Sequence, residues 1–171
     1  EIVEVGDFRG DSFQLSKMAS DQPSARYIAF CGVHFMAESA RIVARPEQRV
    51  FHPNLNSGCP MADMATAPAV DRALEELSAV LPGQETVVPV VYMNTDAATK
   101  GLCGQQGGLV CTSSNATKAF RWAFEQGERI LFVPDEHLGR NTSHMLGISD
   151  DDMLVYDPSQ VNGGHSPDAL R

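Results

Sequence analysis

Five apolar runs of this chain each end in a cluster of small polar residues that opens a helix: FCGVHFMAESA, NLNSGCPMADM, VYMNTDAATK, VCTSSNATK and VPDEHLGRN. Strands separated by helices imply parallel pairing, right-handed crossovers and αβα layering. Open sheets of this kind take up ligands at the carboxyl ends of their strands. A chain that repeats the arrangement this often is building one site, from Ser, Thr, Asn, Tyr, Asp, His and a glycine-flanked Cys. Such a set suits a small anionic metabolite better than a nucleic acid.

The charge balance agrees. With 22 Asp and Glu against 13 Lys and Arg, the formal net charge is −9 and no basic cluster interrupts it. The chain therefore lacks the electrostatic footprint of a nucleic-acid or anionic-membrane binder. An anionic ligand would be held by local donors, meaning hydroxyls, amides and helix N-termini. No apolar stretch approaches the length of a membrane span and no signal-peptide pattern opens the chain, so a soluble cytoplasmic protein is expected. With no initiator Met and a GGHSPDALR ending that reads as the start of a helix, the 171 residues are expected to be a fragment.

Periodicity and breakers set out the elements. A first helix starts at Asp11 or Ser12 with GDS as its cap, followed by a strand in YIAFCG and a helix over HFMAESARIVA that Pro46 stops. RVFHPNL is a strand that delivers Cys59. Val70, Leu74, Leu77 and Leu81 recur at helical spacing, so one amphipathic helix is expected from MADM through AVL, ended by Pro82-Gly83, with Pro68 marking a break or a late start. The linker Pro82-Gly83-Gln84 comes next. VVPVVYMN, GGLVCTSS, RILFVPD and MLVYDP read as strands. DAATKG and NATKAFRWAFEQ read as helices, the second stopped by Gly127, and EHLGRNTSHMLGI reads as a polar loop.

Cys31, Cys59, Cys103 and Cys111 form no CxxC pair, which argues against a self-contained zinc knuckle or a thioredoxin-type redox pair. Cys31 and Cys111 lie inside apolar strands and are expected as buried free thiols, while Cys103 in its Gly/Gln-rich stretch is incidental. Cys59 differs, because it comes after Gly58 at a strand end and precedes a helix expected near Met61. A helix N-terminus favours a thiolate, suited to ligation or nucleophilic attack. Ser12, Thr112, Ser113 and Ser114 each fit a plain helix cap, which is compatible with anion binding through the same amides. Tyr92 and Asn94 share a face if the strand is regular. They make either a polar grip for a carboxylate and a carbonyl or imine, or a half-buried edge pair. His34 and His52 have no ligand partner at helical spacing and read as structural. No GxSxG elbow, phosphate loop or GxGxxG fingerprint is present.

Taken in order, GDFRGDS, FCGVHFMAESA, GCPMADM, VYMNTDAATK, CTSSNA and LFVPDEHLGRN, with YDPSQVNGGHS, resemble the quinolinate synthase family. The resemblance implies an α/β fold with two αβα three-layer sandwich domains with parallel sheets, of a family total of three. Residues 1–60 would form most of the first domain and 61–171 most of the second. It also implies condensation of iminoaspartate with dihydroxyacetone phosphate to quinolinate, in de novo NAD biosynthesis, with L-aspartate oxidase as the metabolic source of iminoaspartate. The family holds a 4Fe-4S cluster by three cysteines, one per domain, which leaves an open iron as a Lewis acid. Cys59 falls on the first cluster ligand. Ser12, Tyr92, Asn94 and Ser113 fall on substrate-binding positions, with Tyr92 and Asn94 as catalytic candidates.

The departures from the family are definite. Its opening His-x-Tyr segment would precede Glu1, and its Trp-x-Gly-x-Cys-x-His segment and third domain would lie beyond Arg171. GLCGQQGGL is longer than the usual connection. One thiolate does not hold a four-iron cluster, so this polypeptide alone is expected to be inactive. Two other readings stand beside the leading one: a non-enzymatic α/β module that binds a small organic acid without a cluster, and a cysteine hydrolase built on Cys59 and a His.

Overall fold

The computed structural model describes residues 2–81, 83 and 86–171. Pro82 and Gln84, read from the sequence as helix end and linker, lie outside the described residues. A short helix α1 (Ile2–Val5) precedes α2 (Ser12–Ser20), β1 (Tyr27–Ala29), α3 (His34–Val43) and β2 (Arg49–Phe51). After a 3-10 turn at Ala62–Met64 come α4 (Ala67–Val80), β3 (Val87–Tyr92), α5 (Ala97–Gln105), β4 (Leu109–Cys111), α6 (Ala116–Gln126), β5 (Arg129–Val133) and α7 (Glu136–Met145). The chain closes with 3-10 turns at Asp150–Asp152 and Val161–Gly164 and the short α8 (Pro167–Leu170).

Two parallel sheets result. One pairs β1 with β2, Ile28 opposite Val50, and the other has the order β4-β3-β5. In the second sheet Val90 is opposite Leu109 on one side and Phe132 on the other. The central strand β3 reads as an almost unbroken apolar run because both its faces are covered. Val88 and Val90 pack with Cys111 against Ala116, Ala119, Phe120 and Ala123 of α6. On the opposite face, Leu131, Val133 and Val87 meet Val70, Ala73 and Leu74 of α4. Alternate strand residues thus serve opposite helical layers, giving αβα stacking.

The β1/β2 sheet packs Ile28 and Val50 with Leu15 of α2 and with Met36, Ala37 and Ala40 of α3. Its other face carries Tyr27 and Phe51, both exposed, with ring centroids 6.0 Å apart. Gln48 is fully buried and fully used. Its amide nitrogen donates to the carbonyls of Gln22 and Ala25 at 2.9 and 3.2 Å, and its oxygen accepts the Arg45 amide at 2.9 Å. One side chain therefore ties the turn into β1 to the turn into β2, satisfying groups that burial would otherwise penalise.

Several sequence expectations change here. The helix expected from MADM through AVL begins only at Ala67, with Pro68 in its first turn, where a missing N–H costs nothing. EHLGRNTSHMLGI is not a loop: Glu136–Met145 is helical, capped by Asp135 Oδ1, which accepts the Leu138 amide at 3.0 Å. MLVYDP forms no strand, and residues 153–158 run as irregular chain.

Candidate functional site

The carboxyl ends of the second sheet face the N-terminus of α2 across a cleft of ≈ 440 Å³. Tyr92, Met93 and Asn94 line it from the end of β3, Thr112, Ser113 and Ser114 from the end of β4, and Asp135 from beyond β5. Asp11, Ser12, Phe13 and Gln14 of the α2 entry, Phe35 of α3, and Cys59 and Met61 form the opposite wall. The cleft has the size of an ordinary small-molecule site. All five residues singled out by sequence, Ser12, Cys59, Tyr92, Asn94 and Ser113, line it.

Local capping explains how the hydroxyls are freed. Asp11, rather than Ser12, caps α2, its Oδ1 accepting the Gln14 amide at 2.8 Å. At α6 no side chain caps the helix; the Asn115 carboxamide oxygen instead accepts the Thr112 amide at 2.7 Å. Thr112 and Ser114 share a hydroxyl contact of 3.0 Å. No side chain caps the α6 N-terminus, and Ser113, exposed in the cleft lining, lies two residues before its cap position Asn115.

β3 ends at Tyr92, so strand alternation does not carry through to Asn94; a tight turn does the work. The Tyr92 carbonyl accepts both the amide and the hydroxyl of Thr95, each at 3.1 Å. Tyr92, Met93 and Asn94 all line the cleft as a result. Asn94 is only 7 % exposed, and its side-chain oxygen is buried with no hydrogen-bond partner among the described residues. A buried acceptor left unpaired is costly unless something else supplies the donor.

The cysteines divide differently from expectation. Cys31 is exposed, because β1 stops at Ala29, whereas Cys103 is fully buried in α5 with its thiol donating toward Pro89 O at 3.3 Å. Cys111 is buried as expected. Burial pushes the Cys103 and Cys111 thiols up to about 11. Cys59 is partly exposed and leads into a single 3-10 turn rather than a long helix; its carbonyl accepts the Asp63 amide at 3.3 Å. The helix dipole expected at this thiol belongs instead to α4, which starts at Ala67. Among the described residues no group of three or more His, Cys, Asp or Glu side chains could hold a metal ion. Cys59, a partly exposed thiol in the cleft lining, is a single candidate donor among the described residues.

His34 and His52 lie outside the cleft lining and pack edge to face, with ring centroids 5.6 Å apart. His52 Nε2 lies 2.8 Å from Gly32 O. Sequence reasoning missed Phe13, Gln14, Phe35, Met61 and Asp135 as lining residues. Lys100 lies behind the lining, a half-buried amine over the Phe35 ring whose pKa burial lowers to about 8, while Glu38 and Asp96 pull it back up. The capping pattern of Asp135 was readable in VPDEHL; the others come together only through tertiary contacts.

The chain matches, over residues 1–161, the family described as Quinolinate synthetase A protein. It is 54 % identical over its full length to a quinolinate synthase of Acidobacterium capsulatum, of which it covers 46 %. It is 49 % identical over 99 % of its length to a quinolinate synthase of Corynebacterium glutamicum, covering 43 % of it, and 52 % identical, also over 99 %, to one of Haloarcula marismortui, covering 45 %. The chain therefore spans somewhat less than half the length of these relatives. From the order of its strand-end motifs, its parallel αβα layering and these matches, the chain belongs to the quinolinate synthetase A family.

Proposed function

We propose that the full-length protein is a cytoplasmic quinolinate synthase, condensing iminoaspartate with dihydroxyacetone phosphate to quinolinate with loss of water and phosphate. The observation that carries this reading is that Ser12, Cys59, Tyr92, Asn94 and Ser113, distant in sequence, line one cleft at the carboxyl edge of a parallel sheet. The family match and the acidic charge balance, with no basic cluster, support a small-molecule substrate rather than a nucleic acid. We place the two sheets in separate domains, 1–60 and 61–171. L-aspartate oxidase is the metabolic source of iminoaspartate in this reading.

The roles come from the chemistry of each wall. Ser12 and Ser113 donate hydroxyl hydrogens, together with the helix-end amides of α2 and α6, to substrate carboxylates or phosphate. Tyr92 presents a phenol that donates to a substrate oxygen or carries a proton during dehydration. Asn94 offers its unpartnered oxygen to a substrate N–H or O–H. Cys59 supplies one of three thiolates to a 4Fe-4S cluster. When bound, that cluster would supply a Lewis-acidic iron to polarise a substrate oxygen.

The test is anaerobic iron–sulfur reconstitution of the full-length protein, then an assay of quinolinate formation from iminoaspartate and dihydroxyacetone phosphate. Product formation that depends on the brown reconstituted species is expected. A reconstituted full-length protein that makes no quinolinate would overturn the reading.

A further inference from the structure

The two walls of the cleft are joined by one carboxylate. Glu38 extends from α3, where it lies one turn beyond the cleft-lining Phe35, and its Oε2 accepts the Ala97 amide at 2.9 Å. Ala97 is the first residue of α5, three positions after Asn94. The amide of Thr99 in the same turn is served by the cap residue Asp96 at 2.7 Å, so Glu38 satisfies a donor that α5 cannot satisfy itself. The contact spans 59 residues of sequence.

A second link runs beside the first. Lys100 Nζ donates to Thr95 O and sits 5.5 Å from the centroid of the Phe35 ring. Thr95 is fully buried and closes the turn that presents Asn94. The Tyr92–Thr95 turn is thus held by Lys100 at its end and by Glu38 just past it, both referred to α3. A carboxylate at a helix N-terminus next to an ammonium is favoured by both neighbours.

We propose that Glu38 is a positioning residue for the synthase site, fixing the Tyr92–Asn94 wall against the α3 and Ser12 wall through the Ala97 amide. It touches no substrate. Its effect on catalysis is to hold two sets of substrate contacts at the spacing a single substrate must bridge, where small misplacements are expensive. The activity part of this inference rests on the synthase reading above; the latch itself does not.

Three substitutions test it in the full-length reconstituted protein. Glu38→Ala removes the acceptor, Glu38→Gln keeps an oxygen in place, and Ala97→Pro removes the donor. The proline suits the first position of α5, where Asp96 before it is already extended, with φ −71° and ψ 171°. Glu38→Ala and Ala97→Pro should each lower kcat/KM on the order of tenfold, chiefly through KM, with a double variant no worse than either single one. Glu38→Gln should recover most of the loss. Hydrogen exchange supplies a readout free of turnover: amides of the Tyr92–Lys100 segment should exchange on the order of tenfold faster in Glu38→Ala and near the native rate in Glu38→Gln. Unchanged exchange in Glu38→Ala, or additive effects of the two single variants, would overturn the latch. Normal exchange effects with no quinolinate formed by the unsubstituted protein would sink the synthase reading alone.

Discussion

The Tyr156 hydroxyl donates to Glu76 Oε2 across 2.6 Å, and the same oxygen accepts the Asn162 amide at 2.6 Å. Arg72, one helical turn earlier on α4, donates to Pro158 O. These contacts dock the 153–164 segment, irregular up to its closing 3-10 turn, on α4 without any strand pairing. The hydroxyl and amide bonds hold the Glu76 carboxyl below the ordinary carboxylate range. Burial, reinforced by Glu76, pushes the Tyr156 hydroxyl up to about 12.

The signs give a window. Glu76 has a lowered folded value, so its contribution is present above the unfolded value of 4.5 and is lost as pH falls through the folded one. Tyr156 has a raised folded value, so its contribution is complete below 10 and is lost as pH rises toward 12. Protection of the Asn162 amide, its exchange compared with the intrinsic rate at each pH, should therefore be greatest between these limits. Glu76→Ala should release the segment at neutral pH, read as rapid Asn162 exchange and new proteolytic cleavage within 153–164. Native protection in that variant would show that the Arg72–Pro158 bond and the apolar packing of Tyr156 hold the segment without the carboxylate.

Gly108 marks where α5 hands over to β4, and there is no room there for a side chain. A Cβ at this position would stand 2.0 Å from Pro89 O and 2.7 Å from Cys103 Sγ. The first of these is backbone of the central strand, which has no freedom to withdraw. Gly108→Ala should therefore destabilise by about 1–3 kcal/mol, the usual cost of overpacking a core. Gly101→Ala, whose Cβ meets nothing within 4 Å, is the control and should be neutral or slightly stabilising in its helix. Urea titrations of both variants decide it, equal midpoints being the contrary result.

Much of this architecture was legible because the chemistry is local. α6 announces itself by Ala116, Phe120 and Ala123 on one face, and β3 by its continuous apolar run. α7 was hidden because Glu136, His137, Arg140 and His144 dominate its sequence and its buried residues are the small polar Thr142 and Ser143. MLVYDP looks like a strand, yet it has no strand to pair with, and Tyr156 bonds to α4 instead. At the site, strand-end and capping positions drew attention to Ser12, Cys59, Tyr92, Asn94 and Ser113, and the family resemblance attached roles to them. Phe35, Glu38 and Lys100 could not be read that way, since their relation to the cleft exists only where α3 meets α5.

The cysteines make a set whose members should behave differently. In the full-length protein, Cys59→Ser should abolish cluster assembly, seen as loss of the visible absorbance after anaerobic reconstitution. Cys31→Ser alters an exposed residue and should change stability by no more than about 0.5 kcal/mol. Cys111→Ser places a hydroxyl in the apolar core beside Val88 and Val90 and should cost about 1–3 kcal/mol while leaving the cluster spectrum intact. Equal cluster loss in all three would reassign the ligand.

Tyr92 and Asn94 should separate stability from activity. The Asn94 oxygen is buried and unpartnered among the described residues, so the protein gains nothing from it in the absence of ligand. Asn94→Ala should consequently leave the thermal midpoint of the ligand-free protein unchanged or slightly raised, despite the lost volume. If the oxygen accepts a substrate donor, turnover should fall on the order of tenfold to a hundredfold, with the cluster spectrum unaltered. Tyr92→Phe keeps the ring that lines the cleft and removes only the hydroxyl, so it should show the same pattern: normal stability, normal cluster, reduced kcat/KM. A large loss of stability in either variant with kcat/KM preserved would return the pair to a purely structural role at the end of β3.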